Sequence, residues 1–126
     1  MLISFIKNIL QKEKMKINYN SKIIEIPKVR VLNGIENFTS GLMFSRKEKS
    51  RAILFNFKKT QSFNFTSLFV FFPFIILWMN DKNEVIDKKI VKPFRWCIPS
   101  VKTYNKVLEI PINKFYEDKI VSLVGT

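Results

Sequence analysis

The chain has 126 residues, 47% of them apolar, and 22 Lys and Arg against 10 Asp and Glu give it a net charge of +12. That length supports one domain with its own core, and the charge excess attracts anions over long range, which makes nucleic acid and anionic membrane surface the natural partners. One cysteine, Cys97, and no histidine exclude an internal disulfide and a Cys/His metal site, and they remove the side chain most used as a general base.

At the N-terminus Leu2, Ile3, Ile6, Ile9 and Leu10 fall on one helical face, with Lys7, Gln11 and Lys12 elsewhere. The spacing predicts an amphipathic helix over residues 1–14, ahead of a single β-rich domain over 15–126. The segment is not read as a secretory signal, because Lys7 interrupts the apolar run, no basic region precedes it and no small-residue cleavage site follows. KIIEIPKVRVL then alternates on either side of Pro27, which must lie at an edge or a bend. Asn33 is a candidate N-cap for a short helix from Gly34 to about Leu42, and Ser45 with Glu48 has capping-box spacing.

AILFNF (52–57) and SFNFTS (62–67) read as strands joined by KKTQ, a hairpin-sized connection. The apolar run from Leu68 to Met79 contains Pro73 and is too short to span a bilayer as a helix, which takes about 20 residues. It is expected instead to hold two strands meeting at Pro73, the second, FIILWM, being covered on both faces. NDKN (80–83) is a turn, EVIDKKIV completes a hairpin, and KVLEIPI (106–112) and KIVSLV (119–124) supply the last two strands. The expected fold is mostly β (α+β): a small barrel-like or folded antiparallel sheet of about seven to nine short strands, with the N-terminal amphipathic helix and one short helix.

Few residues suit catalysis. Cys97 in FRWCIPS has Arg95 close by but no histidine to deprotonate it, and it reads as a small core filler. Asp81, Glu84 and Asp87 lack the glycine and alternate-residue carboxylates of a calcium loop and read as a solvated turn. No glycine-rich phosphate loop is present. The basic residues remain. Arg46, Lys47, Lys49, Arg51, Lys58 and Lys59 lie within fourteen residues; the arginines suit bidentate phosphate contacts and the lysines add point charge. The same cluster also reads as a solvated loop in a lysine-rich chain. Phe55, Phe57 and Phe63 nearby would stack on bases if exposed and pack the core if not. A second run, Lys88, Lys89, Lys92 and Arg95, ends beside Phe94 and Trp96.

Four elements in order resemble the domain-of-unknown-function 192 family, a group of small, mostly β domains. They are VRVLNGIENFTSGLMF with Gly41, Leu42, Met43 and Phe44; AILFNF; FVFFPFIILWMNDKNEVID with Pro73 on the family proline; and Val107, Leu108, Glu109, Ile110 and Pro111, followed by Asp118 where the family has Gly-Asp. Coverage is about residues 28–124. Ahead of the proline the family usually carries Phe-Trp-Met-x-Asn, and two residues after it an aspartate. Here those positions hold Phe65, Thr66, Ser67, Leu68, Phe69 and then Ile75, so the polar groups best suited to line a ligand site are replaced. Glu109 falls on a family position in an apolar strand, where a buried Lys or Arg partner is expected.

The resulting expectation is a non-enzymatic, cytoplasmic β domain that docks on RNA in a ribonucleoprotein, the ribosome included, through backbone phosphates. Its nucleic-acid-binding residues are Arg46, Lys47, Lys49, Arg51, Lys58, Lys59, Lys88, Lys89, Lys92 and Arg95, with no catalytic residue, cofactor or metal. The alternatives are a peripheral membrane or cell-envelope protein using the N-terminal helix on anionic lipid, and a small-ligand-binding domain.

Overall fold

The computed structural model describes residues 12–33, 46–61, 70–94, 98–99 and 103–125. Its strands are β1 (Lys12–Tyr19), β2 (Lys22–Asn33), β3 (Ile53–Gln61), β4 (Phe74–Met79), β5 (Val85–Val91) and β6 (Tyr104–Pro111), followed by a 3-10 turn (Lys114–Tyr116) and helix α1 (Glu117–Val124). The six strands form one sheet in the order β1-β2-β3-β6-β4-β5. Neighbours run antiparallel except β2 and β3, which are parallel, with Arg30 opposite Ile53. The two edges approach each other where Asn18 bridges Glu84 and the Asn18 N–H donates to the Asn83 carbonyl at 2.9 Å. The sheet is therefore a curled half-barrel.

FIILWM is buried at every position, as expected for a strand covered on both faces. Side chains alternate across the pleat, so β4 feeds two cores. Phe74, Ile76 and Trp78 join Ile53, Phe55, Phe57, Val107 and Tyr104 on one face. On the other, Ile75, Leu77 and Met79 join Ile17, Ile26, Leu54, Leu108, Ile110, Tyr116 and Leu123. Position 75, where the family has its aspartate, is thus wholly inside the second core. Among the described residues no helix is long and apolar enough to cross a membrane.

Pro27 does sit at a bend. Met15 pairs with Ile26 and Glu13 with Val29, so Pro27 and Lys28 together oppose one residue of β1, a bulge. Lys28 takes a positive φ of 57°. A bulge leaves backbone groups without ladder partners, and the buried Tyr116 hydroxyl meets two of its carbonyls and one N–H ahead of β3. It donates toward the Pro27 carbonyl at 2.8 Å and lies 3.3 Å from that of Lys28, and it accepts from the Ala52 N–H at 2.8 Å. NDKN is the expected turn. Asn80 Oδ1 accepts from the N–H groups of Lys82 and Glu84 at 2.9 and 3.0 Å.

Four expectations are corrected. Residues 12–14 belong to β1 and not to a helix, because Met15, Ile17 and Tyr19 alternate toward the core while Lys14 and Lys16 face water; the rest of that segment lies outside the described residues, as does the expected helix after Asn33. KKTQ continues β3 instead of turning. KIVSLV is helical: Tyr116, Ile120 and Leu123 at i, i+4 and i+7 line the second core, and Glu117 and Asp118 occupy the first turn, where they suit the helix dipole. Among the described residues the sheet has six strands, one pair of them, β2 and β3, parallel; the expected strand SFNFTS (62–67) lies outside the described residues.

Candidate functional site

The strand directions gather five segments at one end of the sheet. β3 begins there at Ile53, opposite Glu109 near the end of β6. β6 ends at Pro111 opposite Phe74, the start of β4, and Phe74 pairs with Val91, the end of β5. Arg30 of β2 pairs beside Ile53. The flanking segments that emerge here carry Lys28, Arg46, Lys47, Lys49, Lys92 and Lys114, and together with Arg30 all of these are exposed.

Hydrogen bonds fix the local frame. Asn113 Nδ2 donates to the carbonyls of Lys47 and Ser50 at 2.8 and 3.0 Å, and its Oδ1 accepts from the Tyr116 N–H at 3.2 Å. The Lys114 N–H donates to Glu48 Oε2 at 3.2 Å. The 3-10 turn Lys47–Lys49 is thereby held against residues 113–114, which places Lys114 beside the first basic cluster. Arg51 is partly committed: its guanidinium lies 4.1 Å over the Phe115 ring and donates to the carbonyls of Glu48 and Ser50 at 3.2 and 2.9 Å. Among the described residues the ion pairs are Lys14–Glu25 and Lys119–Asp118, so Arg46, Lys47, Lys49 and Lys114 keep uncompensated charge. Aromatic side chains are exposed at the same end: Phe115, and Phe71 with Phe94, whose rings meet edge to face at 5.5 Å.

The other basic residues of the sequence reading lie apart. Successive strand residues face opposite ways, and this splits the second run. Lys88 turns to the α1 side, where its amine donates to the Leu123 carbonyl and lies 4.6 Å over the Tyr19 ring. Lys89 faces the other side, donating to the Pro99 carbonyl at 2.7 Å. Lys58 and Lys59 fall on β3, five and six residues beyond Ile53 and so roughly 16–20 Å from it at 3.3 Å per residue. Arg95 lies outside the described residues, as do Phe63, Trp96 and Cys97. Phe55 and Phe57 are core. Lys28, Arg30 and Lys114 were missed. The parallel pairing of β2 with β3 brings in the first two, and no local pattern announces it; Lys114 is adjacent to Asn113 and Phe115, but its neighbours at residues 46–50 are distant in sequence.

Glu109 departs from expectation in a different way. It is 5% exposed and has no ion pair or hydrogen bond among the described residues. Burial alone pushes its carboxyl up to about 8. It stands opposite Ile53 on β3 and Ile76 on β4, on the face of the first core. On that face Trp78 is its diagonal neighbour, and the Trp78 Nε1 is buried without a hydrogen-bond partner. Among the described residues two cations share this face at two strand spacings, about 10 Å, from Glu109: Arg30, opposite Ile53, and Lys89, opposite Ile76, whose amine is engaged at Pro99.

Two solved structures share this fold. A protein from Sinorhizobium meliloti 1021, provisionally named a transcription regulator, superposes with a TM-score of 0.71 at 16% identity, covering 88% of this chain and 86% of its own. A protein of unknown function from Novosphingobium aromaticivorans DSM 12444 gives 0.67 at 15% identity, covering 83% and 76%. At such identities the likeness is one of fold. Comparison with curated protein sequences gives no significant match. The sequence profile of the DUF192 family, described as "Uncharacterized ACR", matches residues 15–122, most of the chain and every element of the sheet from Met15 onward, and the chain belongs to that family.

Proposed function

We propose that the chain is a non-enzymatic RNA-docking domain, which grips backbone phosphates with the basic end of its sheet and so joins a ribonucleoprotein. One observation carries this reading: strand topology gathers Lys28, Arg30, Arg46, Lys47, Lys49 and Lys114 at a single end, exposed, together with Phe71, Phe94 and Phe115. Lysine and arginine contact phosphate without reading sequence, and exposed rings among them offer stacking surfaces to unpaired bases. Of the expected residues that are described, Arg46, Lys47, Lys49, Arg51 and Lys92 lie on the segments at this end.

The test is fluorescence anisotropy of a labelled single-stranded RNA across a salt series. With about four phosphate contacts, log affinity should fall against log salt with a slope of about −3, roughly a 60-fold loss from 50 to 200 mM. The combined Arg46→Glu, Lys47→Glu and Lys49→Glu variant should bind far more weakly and with a shallower slope. A flat salt response, or binding to phosphatidylglycerol vesicles with none to RNA, would sink the proposal; the second result would point to the membrane.

A further inference from the structure

The first core contains polar groups that packing does not account for. Trp78 is fully buried, and its indole N–H has no acceptor. Glu109, on the same face, is 95% removed from solvent without a partner among the described residues. Buried polar groups in native proteins are nearly always hydrogen-bonded, and each exception calls for a cause; among the described residues Trp78 Nε1 is such an exception, and the Glu109 carboxyl beside it keeps a little solvent contact. These two are adjacent. Trp78 opposes Val107 and Ile76 opposes Glu109, so Trp78 and Glu109 are diagonal neighbours with Cβ atoms about 7 Å apart, close enough for one small group to touch both. Around them on this face are Phe55, Phe74, Ile76 and Val107, and the Lys89 amine lies 5.8 Å from the Trp78 ring centroid.

The chemistry narrows what that group is. An indole N–H only donates, so the ligand must present an acceptor, which an ammonium group lacks. The Lys89 amine is committed to the Pro99 carbonyl, and a full charge among Phe and Ile side chains would be costly without a counter-ion in contact with it. The carboxyl, neutral at pH 7, both donates and accepts. An uncharged group that accepts from one side chain and exchanges a hydrogen bond with the other satisfies both. Glu109 retains slight exposure while Trp78 has none, so access is from the Glu109 side.

We propose that the β4–β6 face bearing Trp78 and Glu109 binds a small uncharged molecule through a hydroxyl or amide group held between the indole N–H and the carboxyl, its apolar body lying against Phe55, Phe74 and Ile76. Glu109 stands two strands from Arg30 of the basic end on the same face, and Trp78 lies further inward along β4. The site differs from the polar signature the family carries around its proline, since Ile75 faces the opposite core.

Benzyl alcohol and toluene differ by one hydroxyl and serve as the probe pair. In the full 15N-labelled chain, the Trp78 indole N–H resonance, distinguished from that of Trp96 by Trp78→Phe, should shift saturably with benzyl alcohol and at least tenfold more weakly with toluene. Glu109→Met, which replaces an unpartnered buried carboxyl with an apolar side chain of similar length, should remain folded and weaken benzyl alcohol at least tenfold. Glu109→Gln, which both donates and accepts, should restore most of the binding. Equal affinity for the two probes, absence of a saturable Trp78 shift, or unchanged binding by Glu109→Met would each overturn the proposal.

Discussion

The basic end of the sheet and the centre of its first face carry polar groups in opposite settings. At the end, Arg46, Lys47, Lys49 and Lys114 stand in water on segments that flank the strands. In the centre, Glu109 and Trp78 Nε1 stand among Phe and Ile side chains on the most buried strands. An exposed charge keeps its hydration and costs the fold little, so it is free to serve a partner. A buried, unpartnered carboxyl opposes folding whenever it ionises. Changes at the end should therefore move binding with little change in stability, whereas changes at the centre should move stability first.

The largest effect expected from this contrast is a pH dependence at Glu109. Its carboxyl titrates near 4.5 in the unfolded chain and near 8 in the folded one. Below 4.5 both states hold the proton and the site adds no pH dependence. Between the two values the unfolded chain has released the proton and the folded chain keeps it, so stability falls as pH rises, by about 1.4 kcal/mol per unit and on the order of 5 kcal/mol in total. Above 8 the curve flattens. Among the described residues the charged or titratable groups sharing this face are Arg30 on β2, opposite Ile53, Lys89 and Asp87 on β5, opposite Ile76 and Trp78, and Tyr104 on β6, whose hydroxyl burial holds above its ordinary range. Glu109→Gln should lift the melting temperature at pH 8 much more than at pH 5. Parallel pH profiles for the two proteins would remove the centre from the comparison.

A middling effect is expected at Tyr116, which joins the two regions. Its ring lies in the second core, while its hydroxyl accepts from Ala52 and donates toward Pro27, directly beneath the basic end. Tyr116→Phe leaves a buried N–H and a bulge carbonyl without their partner and should cost about 1–3 kcal/mol in urea unfolding. A loss below about 0.5 kcal/mol would mean that other groups or water take over, and that the frame of the basic end does not depend on this hydroxyl.

What the sequence made legible follows the same division. FIILWM reads as a doubly covered strand because its unbroken apolar run permits little else, and NDKN reads as a turn because Asn80 caps its own loop. The termini were less legible. Lys12–Tyr19 has only Met15, Ile17 and Tyr19 to signal a strand, next to a helix-periodic stretch, and KIVSLV is rich in residues that suit strands. The helix signals there were Glu117 and Asp118 ahead of the run and Gly125 after it, with a positive φ of 76°. The basic end was half legible. Arg46, Lys47 and Lys49 are contiguous enough to be seen, but Lys28, Arg30 and Lys114 join them through a parallel pairing and a loop contact that depend on long-range topology. Lys88 and Lys89, adjacent in sequence, are separated by the pleat. For Glu109 the apolar strand around it was visible, but the absence of a cationic partner was not, since that depends on which side chains stand opposite on β3 and β4.

The smallest expected effect is the stability change when the basic end is reversed, and it tests the comparison from the other side. Arg46, Lys47 and Lys49 are exposed, and the 3-10 turn they occupy contains no buried residue. The backbone contacts that hold this turn come from Asn113 to the carbonyls of Lys47 and Ser50, and these do not involve the cationic side chains. Surface substitutions away from such contacts usually shift stability by less than about 0.5 kcal/mol. The three Glu substitutions, two charge units each, lower the net charge from +12 to +6, which relieves self-repulsion and, if anything, favours the compact state. Urea unfolding of the triple variant should therefore overlay that of the parent within about 1 kcal/mol while RNA affinity collapses. If unfolding shifts by several kcal/mol, these cations are part of the fold, and the division between a binding end and a structural centre does not hold.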